Sequence, residues 1–223
     1  MKNDGNGRPR RAAADAAARR RKPARARLQV DERRRQLVEL GLARFSVSSY
    51  EEVSIDEIAV AAGIAKGLLY HYFPTKRAFY AACVEEAADR MLAACTDAAT
   101  GVPPLERLDR GVAAYLAYVE EHGPGYASLM RSGVGDRALA SIVDDTRAKL
   151  VDLLLEGLAE TVPMTPLRRI ALLGWVGFAE TSALAWAEER VRAAHEGRSP
   201  ISAKRIEALL KTALFAVVGE APT

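Results

Sequence analysis

The chain has 223 residues, room for a small domain and a larger one, and 49% hydrophobic content, which supports a sizeable core and excludes wholesale disorder. Its net charge of +3 is unevenly spread: residues 1–27 carry ten Lys or Arg against two Asp, a local +8, which leaves the rest of the chain at −5. A basic segment on a near-neutral body points to an anionic partner, nucleic acid or a membrane surface, or is simply a solvated tail. Alanine- and leucine-rich segments dominate, long alternating β-branched runs are absent, and an all-α fold is expected.

In chain order, residues 1–30 lack large apolar side chains until Leu28 and Val30 and read as a disordered basic tail. From there Leu37, Val38, Leu40, Leu42 and Phe45 form a helix-period stripe, followed by a loop at 48–52. Ser54 with Glu57 three residues on forms the pattern of a capping box, and Val53 with Ile58 that of a hydrophobic staple. This predicts a short helix ending at Ala62 and Gly63, then a second short helix over 65–72, stopped by Phe73 and Pro74. Thr75 is placed to cap a long helix running to about residue 99, and Gly101 with Pro103 marks a domain boundary. Further helices are expected at 104–121, 124–132, 136–160, 166–193 and 202–218, separated by Gly- and Pro-bearing breaks.

Residues 54–73 have the anatomy of a helix-turn-helix. Two short helices that cross steeply need a small residue on the first and a glycine in the turn, roles that suit Ala59 and Gly63. Ile58, Ile64 and Leu69 are expected to fill the wedge, which leaves Lys66, Gly67, Leu68, Tyr70 and His71 facing outward on a helix short enough for a major groove. Three details point to DNA. Lys76 and Arg77 sit in the first turn of a helix, where the macrodipole disfavours cations unless a phosphate docks there. Tyr70, His71 and Tyr72 are consecutive polar aromatics that cannot all pack inward, and their donors suit phosphate oxygens. Gly67 weakens its helix by about 1 kcal/mol relative to Ala, a cost that close approach to nucleic-acid backbone explains, as would a tight helix crossing.

The stretch IDEIAVAAGIAKGLLYHYFPTKRAFY resembles the signature of the TetR/AcrR regulators, a likeness that covers about residues 32–85. The resemblance implies a three-helix DNA-binding domain over 31–77, a connecting helix over 78–101, and a ligand-binding and dimerisation bundle over 102–223. It implies that Lys66, Gly67, Leu68 and Tyr70 touch bases or neighbouring sugar-phosphate, and that Tyr70, His71, Tyr72 and Lys76 grip phosphates. Ser54 and Thr75 would cap helices whose amides face the DNA backbone. Where the family usually has Ser or Thr before the recognition helix this chain has Ala65, so one cap hydroxyl is missing, typically worth about 1 kcal/mol. Residues 31–77 carry seven basic and seven acidic side chains, so a neutral reading head is expected to draw phosphate or minor-groove contacts from the basic tail.

In the second half, the segment 166–193 is apolar nearly all round. At 100° per residue Trp175, Phe178, Ser182 and Trp186 share one face, and Leu173, Val176, Glu180 and Leu184 the opposite one. One face is expected to serve the subunit's own core and the other, with the last helix, a homodimer interface, as the resemblance also implies. Tyr115, Tyr118, Tyr126, Met130, Trp175, Phe178 and Glu180 are candidates to line a pocket for a hydrophobic or amphipathic effector. Residues 170–187 approach membrane-spanning length, but Glu180 and several small residues favour a buried bundle helix in a cytoplasmic protein.

Cys83 and Cys95 fall roughly 18 Å apart on one helix, too far to pair, and read as buried thiols. His71, His122 and His195 lie in separate segments, no nucleotide-binding or nucleophile motif appears, and neither a metal nor another cofactor is expected. The expected function is therefore a sequence-specific transcriptional regulator, a repressor released from a palindromic double-stranded operator by its effector. The alternatives are a non-specific architectural DNA binder and a helical enzyme without a known motif.

Overall fold

The computed structural model describes residues 30–132, 136–159, 163 and 165–219; the basic segment of residues 1–27 lies outside them. Among the described residues the chain is all-helical. Helix α1 spans residues 30–45, α2 Ile55–Ala61, α3 Lys66–Tyr72, α4 Lys76–Ala99, α5 Pro104–Ser132, α6 Arg137–Leu158, α7 Pro166–His195 and α8 Ala203–Gly219.

The apolar stripe of α1 buries Leu37, Val38 and Phe45 against Val53, Ile58, Ala59, Leu69 and Phe73, with Phe79, Tyr80 and Cys83 from α4 closing the cluster. Gly41 lets α4 approach: a Cβ added there would fall 2.5 Å from Cys83 Sγ and 2.6 Å from Phe79 Cζ. The turn between α2 and α3 passes through Gly63 at φ 64, a conformation that L side chains rarely adopt, so the expected glycine role at this turn is a backbone requirement. Val53 and Ile58 are both buried in this core, in keeping with the staple. The capping box is not formed. Ser54 has the extended backbone of an N-cap but its side chain makes no cap hydrogen bond, so the pattern supplied the helix start without the reciprocal side-chain bond. Thr75 does cap α4, its hydroxyl oxygen accepting from Ala78 N at 3.0 Å.

A second cluster unites α4, α5, α6, α7 and α8 around Leu116, Val119, Leu172, Val176, Trp186, Leu210 and Leu214. The break expected at 122–124 is a kink within α5, where His122 alone takes non-helical angles (φ −111, ψ 16) and its ring stacks on Tyr118 at 4.3 Å. Both tryptophans tie α7 to the C-terminal segment: Trp175 Nε1 donates to the Leu210 carbonyl at 3.0 Å and Trp186 Nε1 to that of Ile201 at 2.8 Å. Burial raises the Cys83 thiol to about 12 and the Cys95 thiol to about 11, so both are protonated, unreactive core groups.

The two clusters are joined by α4, which contributes to both, and by the start of α6, whose Leu139 is buried in the N-terminal core and whose Val151 and Leu158 belong to the C-terminal one.

Candidate nucleic-acid interface and effector cavity

The second helix of the helix-turn-helix, α3, buries Leu69 completely and leaves Lys66, Gly67, Leu68 and His71 exposed, while Tyr70 and Tyr72 are half-buried against the core. Nothing lies within 4 Å of where a Gly67 Cβ would stand, so this glycine is not needed for a helix crossing inside the subunit. The His71 ring meets Tyr72 edge-on at 5.8 Å. Ser54, at the start of α2, is half-buried, and its hydroxyl is not committed to its own helix.

The two lysines of this surface are held by partners the sequence did not announce. Lys66 Nζ lies 2.8 Å from Asp56 Oδ1, a pair across the turn that raises the lysine's affinity for its proton. Lys76 Nζ donates to the Glu51 carbonyl at 3.1 Å and sits 4.7 Å over the Tyr50 ring. Arg77 is ion-paired with Asp136, the N-cap of α6, which also accepts from the backbone N–H groups of Ala138 and Leu139. The cation in the first turn of α4 thus has a partner within the chain, which the macrodipole argument alone did not foresee. No sequence-spacing rule links residues 56 and 66, or 77 and 136.

The C-terminal bundle holds a cavity of about 240 Å³, partly open to solvent, between α4, α5, α6 and α7. Its wall is mainly apolar, with Leu108, Val112, Leu150, Leu153, Leu154 and Val176 prominent, and its polar groups are few, among them Arg107, Glu156 and Glu180. Of the sequence candidates, Tyr115, Trp175 and Glu180 line it together. Tyr118 instead borders two neighbouring spaces nearer the N-terminal domain, its hydroxyl donating to the Ala87 carbonyl at 2.9 Å. Phe178 lies outside the cavity, 40% exposed. The buried arc of α7 is centred on Leu172, Val176, Ala179 and Ala183, with Trp175 and Glu180 buried at its two edges, whereas Phe178, one turn on from Trp175, and Leu173, two turns before Glu180, are exposed. Tyr126 and Met130 lie on α5, but their side chains fall outside the described residues.

Glu180 is 8% exposed and receives Arg147 Nε at 2.8 Å on Oε2. Burial pushes its carboxyl above the usual carboxylate range, and the Arg147 guanidinium opposes that shift. Arg147 also reaches Asp144 on its own helix at 3.2 Å. Glu180 is therefore a paired acid on the cavity wall, linked directly to α6.

By length and composition α7 passes as a membrane-crossing helix, but its buried arc and Glu180 are packed into the bundle. Its outer face exposes Ile170 (68%), Leu173 (51%) and Phe178, and α8 beside it exposes Leu209 and Phe215.

Comparison with known proteins gives a consistent picture. Residues 37–83 match the family described as bacterial regulatory proteins, tetR family, and residues 104–216 match the Tetracyclin repressor-like C-terminal domain. A solved TetR-family transcriptional regulator from Streptomyces coelicolor is 36% identical with a TM-score of 0.71, the alignment covering 84% of this chain and 80% of that one. The HTH-type transcriptional activator FasR of Mycolicibacterium smegmatis is 31% identical over 107 residues, 48% of this chain and 49% of FasR. The transcriptional regulator AcuR of Cereibacter sphaeroides is 32% identical over 121 residues, 53% of this chain and 54% of AcuR. The chain thus spans about half the length of the curated relatives it matches. A helix-turn-helix with an outward-facing α3, carried on a helical bundle and matched by both halves of one family, makes this chain a member of the TetR family of transcriptional regulators rather than an enzyme.

Proposed function

We propose that the protein is a homodimeric repressor in the cytoplasm that holds a palindromic operator and releases it when a small hydrophobic or amphipathic effector enters the cavity between α4 and α7. One observation carries this reading: the same two helices serve both sites. Helix α4 lines the cavity at Cys95 and Thr96 and begins with Lys76 and Arg77 beside the reading head. Helix α6 lines it at Leu150, Leu153 and Leu154 and buries Leu139 in the N-terminal core. An effector that fits one arrangement of these helices better than another shifts the population between them and changes the separation of the two α3 helices. In the DNA-bound dimer that separation is about one helical turn of DNA, roughly 34–36 Å.

In this reading Lys66, Gly67, Leu68 and Tyr70 face base edges and sugar-phosphate, while Ser54, Tyr70, His71, Tyr72, Thr75 and Lys76 meet phosphates. The basic segment of residues 1–27 adds electrostatic attraction to a head that is neutral by itself. The exposed apolar residues of α7 and α8 form a four-helix interface with their copies in the second subunit.

The test is selection of bound sequences from a random DNA pool, followed by transcription from a template carrying the recovered site. A short palindrome and reduced transcript are expected. Coverage without a defined footprint makes the protein an architectural binder, and increased transcript makes it an activator, as FasR is.

A further inference from the structure

A second cavity, of about 280 Å³ and partly open to solvent, lies at the junction of the two domains, between α1, α4 and the kink of α5. Leu42 and Phe45 of α1, Val84 and Ala87 of α4, and Tyr118 and His122 of α5 stand on its wall. It shares no lining residue with the bundle cavity. The space between the two is about 20 Å³, bordered by Tyr118 on one side and by Tyr115 and Glu180 on the other. The stacked rings of Tyr118 and His122, facing a wall that also holds Phe45 and Tyr80, suit a flat aromatic body.

The hydrogen bonds of this wall decide the polar group. Its donors are spent on backbone carbonyls of the chain itself: Ser46 Oγ donates to Ala43 at 2.9 Å, the Tyr118 hydroxyl to Ala87 at 2.9 Å and the Cys83 thiol to Val38 at 3.8 Å. His122 Nδ1 lies 3.0 Å from the Tyr118 carbonyl, which can only accept, so the ring proton sits on Nδ1 and Nε2 of the neutral ring is an acceptor. Arg90 gives Nε to Glu86 at 2.8 Å and Nη2 to Glu39, so one guanidinium serves two carboxylates and the rim keeps a negative charge in surplus. What remains for a ligand is lone pairs and a carboxylate. We propose that this junction cavity binds a primary ammonium group on an aromatic body, its N–H donors going to Glu39 and the neighbouring lone pairs. Such a ligand touches α1 of the DNA-binding domain and α5 of the bundle at once, so its affinity depends on how the two are placed.

The experiment is calorimetric titration of the full chain at neutral pH with three probes: 1-naphthylmethylamine, 1-naphthylmethanol and 1-naphthylacetate. The amine is expected to bind about tenfold more tightly than the alcohol, and the acetate more weakly than either. Glu39→Gln, a conservative change at an exposed position, removes the surplus charge, and the preference for the amine over the alcohol disappears. Ala43→Trp, at an exposed position of α1 on the cavity wall, fills the space and abolishes binding of the amine. Leu154→Trp fills the bundle cavity instead and leaves the amine's affinity as in the parent. The proposal is overturned if no probe binds, if the alcohol or the acetate is preferred, or if the amine's preference survives Glu39→Gln. Loss of binding in Leu154→Trp with retention in Ala43→Trp also overturns it, since the amine would then occupy the bundle cavity.

Discussion

Arg77, in the first turn of α4, is ion-paired with Asp136, the residue that caps α6. The contact joins the end of the connecting helix beside the helix-turn-helix to the start of the helix that borders the C-terminal cavity. Arg77 and the two backbone N–H groups at the α6 start hold the Asp136 carboxyl below its usual range.

A carboxylate whose pKa is depressed by folding contributes stability above its unfolded value and loses that contribution as pH falls through its folded one. Asp136→Ala is therefore expected to melt at a lower temperature than the parent at neutral pH, with the difference closing as the pH falls below about 4. Thermal melts of both proteins across this range check it. A difference that stays constant with pH would show that the ion pair contributes nothing and that only the shape of the residue matters.

The pairing of Lys66 with Asp56 places a carboxylate inside the reading surface. Freed from it, Lys66 becomes available to any phosphate. Asp56→Asn is expected to raise affinity for random-sequence DNA severalfold and to steepen the slope of log K against log salt by about 0.9, the value of one phosphate contact. Affinity for the operator should change less, so discrimination falls. Fluorescence anisotropy over a series of salt concentrations measures both quantities. An unaltered slope would mean that Lys66 reads bases and not phosphates.

Removal of residues 1–27 takes away ten basic side chains and leaves the neutral head of residues 31–77. Operator binding should weaken, and the salt slope should flatten by about 0.9 for each phosphate that the segment neutralises. Equal slopes for the full and shortened chains would reduce the basic segment to a solvated extension.

The outer face of α7 separates the proposed dimer from the subunit fold. Phe178 is exposed within its own chain, so Phe178→Glu should leave the subunit's melting behaviour nearly unchanged. In sedimentation the variant is expected to run as a monomer. Its operator affinity should drop by about a hundredfold or more, since the second reading head is no longer tethered. A dimer that survives this substitution would move the interface elsewhere.

The helix pattern of this chain is readable because its breaks are chemical: Pro104 and Pro166 open helices, and Gly63, Gly101 and Gly197 take positive φ where helices end. The orientation of α7 is not readable, because a helix apolar on every side has no periodic contrast from which to choose its buried arc, and Phe178, expected beside Trp175 on a cavity wall, is exposed at the edge of that arc. The partners of Lys66, Lys76 and Arg77 are hidden for another reason. Each lies across a turn or a domain junction, at a separation that no local rule connects. Glu180 stands out in the sequence as an acid among apolar neighbours, whereas Arg147, one exposed-looking arginine among many, does not.

Two glycines with opposite surroundings give the sharpest contrast. Gly41 sits on α1 against Cys83 and Phe79, so Gly41→Ala forces either the α1–α4 spacing or the Phe79 ring to yield. Overpacking of this kind costs about 1–3 kcal/mol, which urea unfolding should register as a lower midpoint. Gly67 has open space where a side chain would go. In the first turn of α3 an alanine there should stabilise the fold by up to about 0.5 kcal/mol, less than in a helix interior. The same methyl group projects from the exposed face of the helix proposed to approach the DNA backbone, so operator affinity should fall while stability rises. Stability and binding moving together in Gly67→Ala would mean that this face of α3 does not approach the duplex closely, and the docking of the helix-turn-helix would have to be turned about its axis.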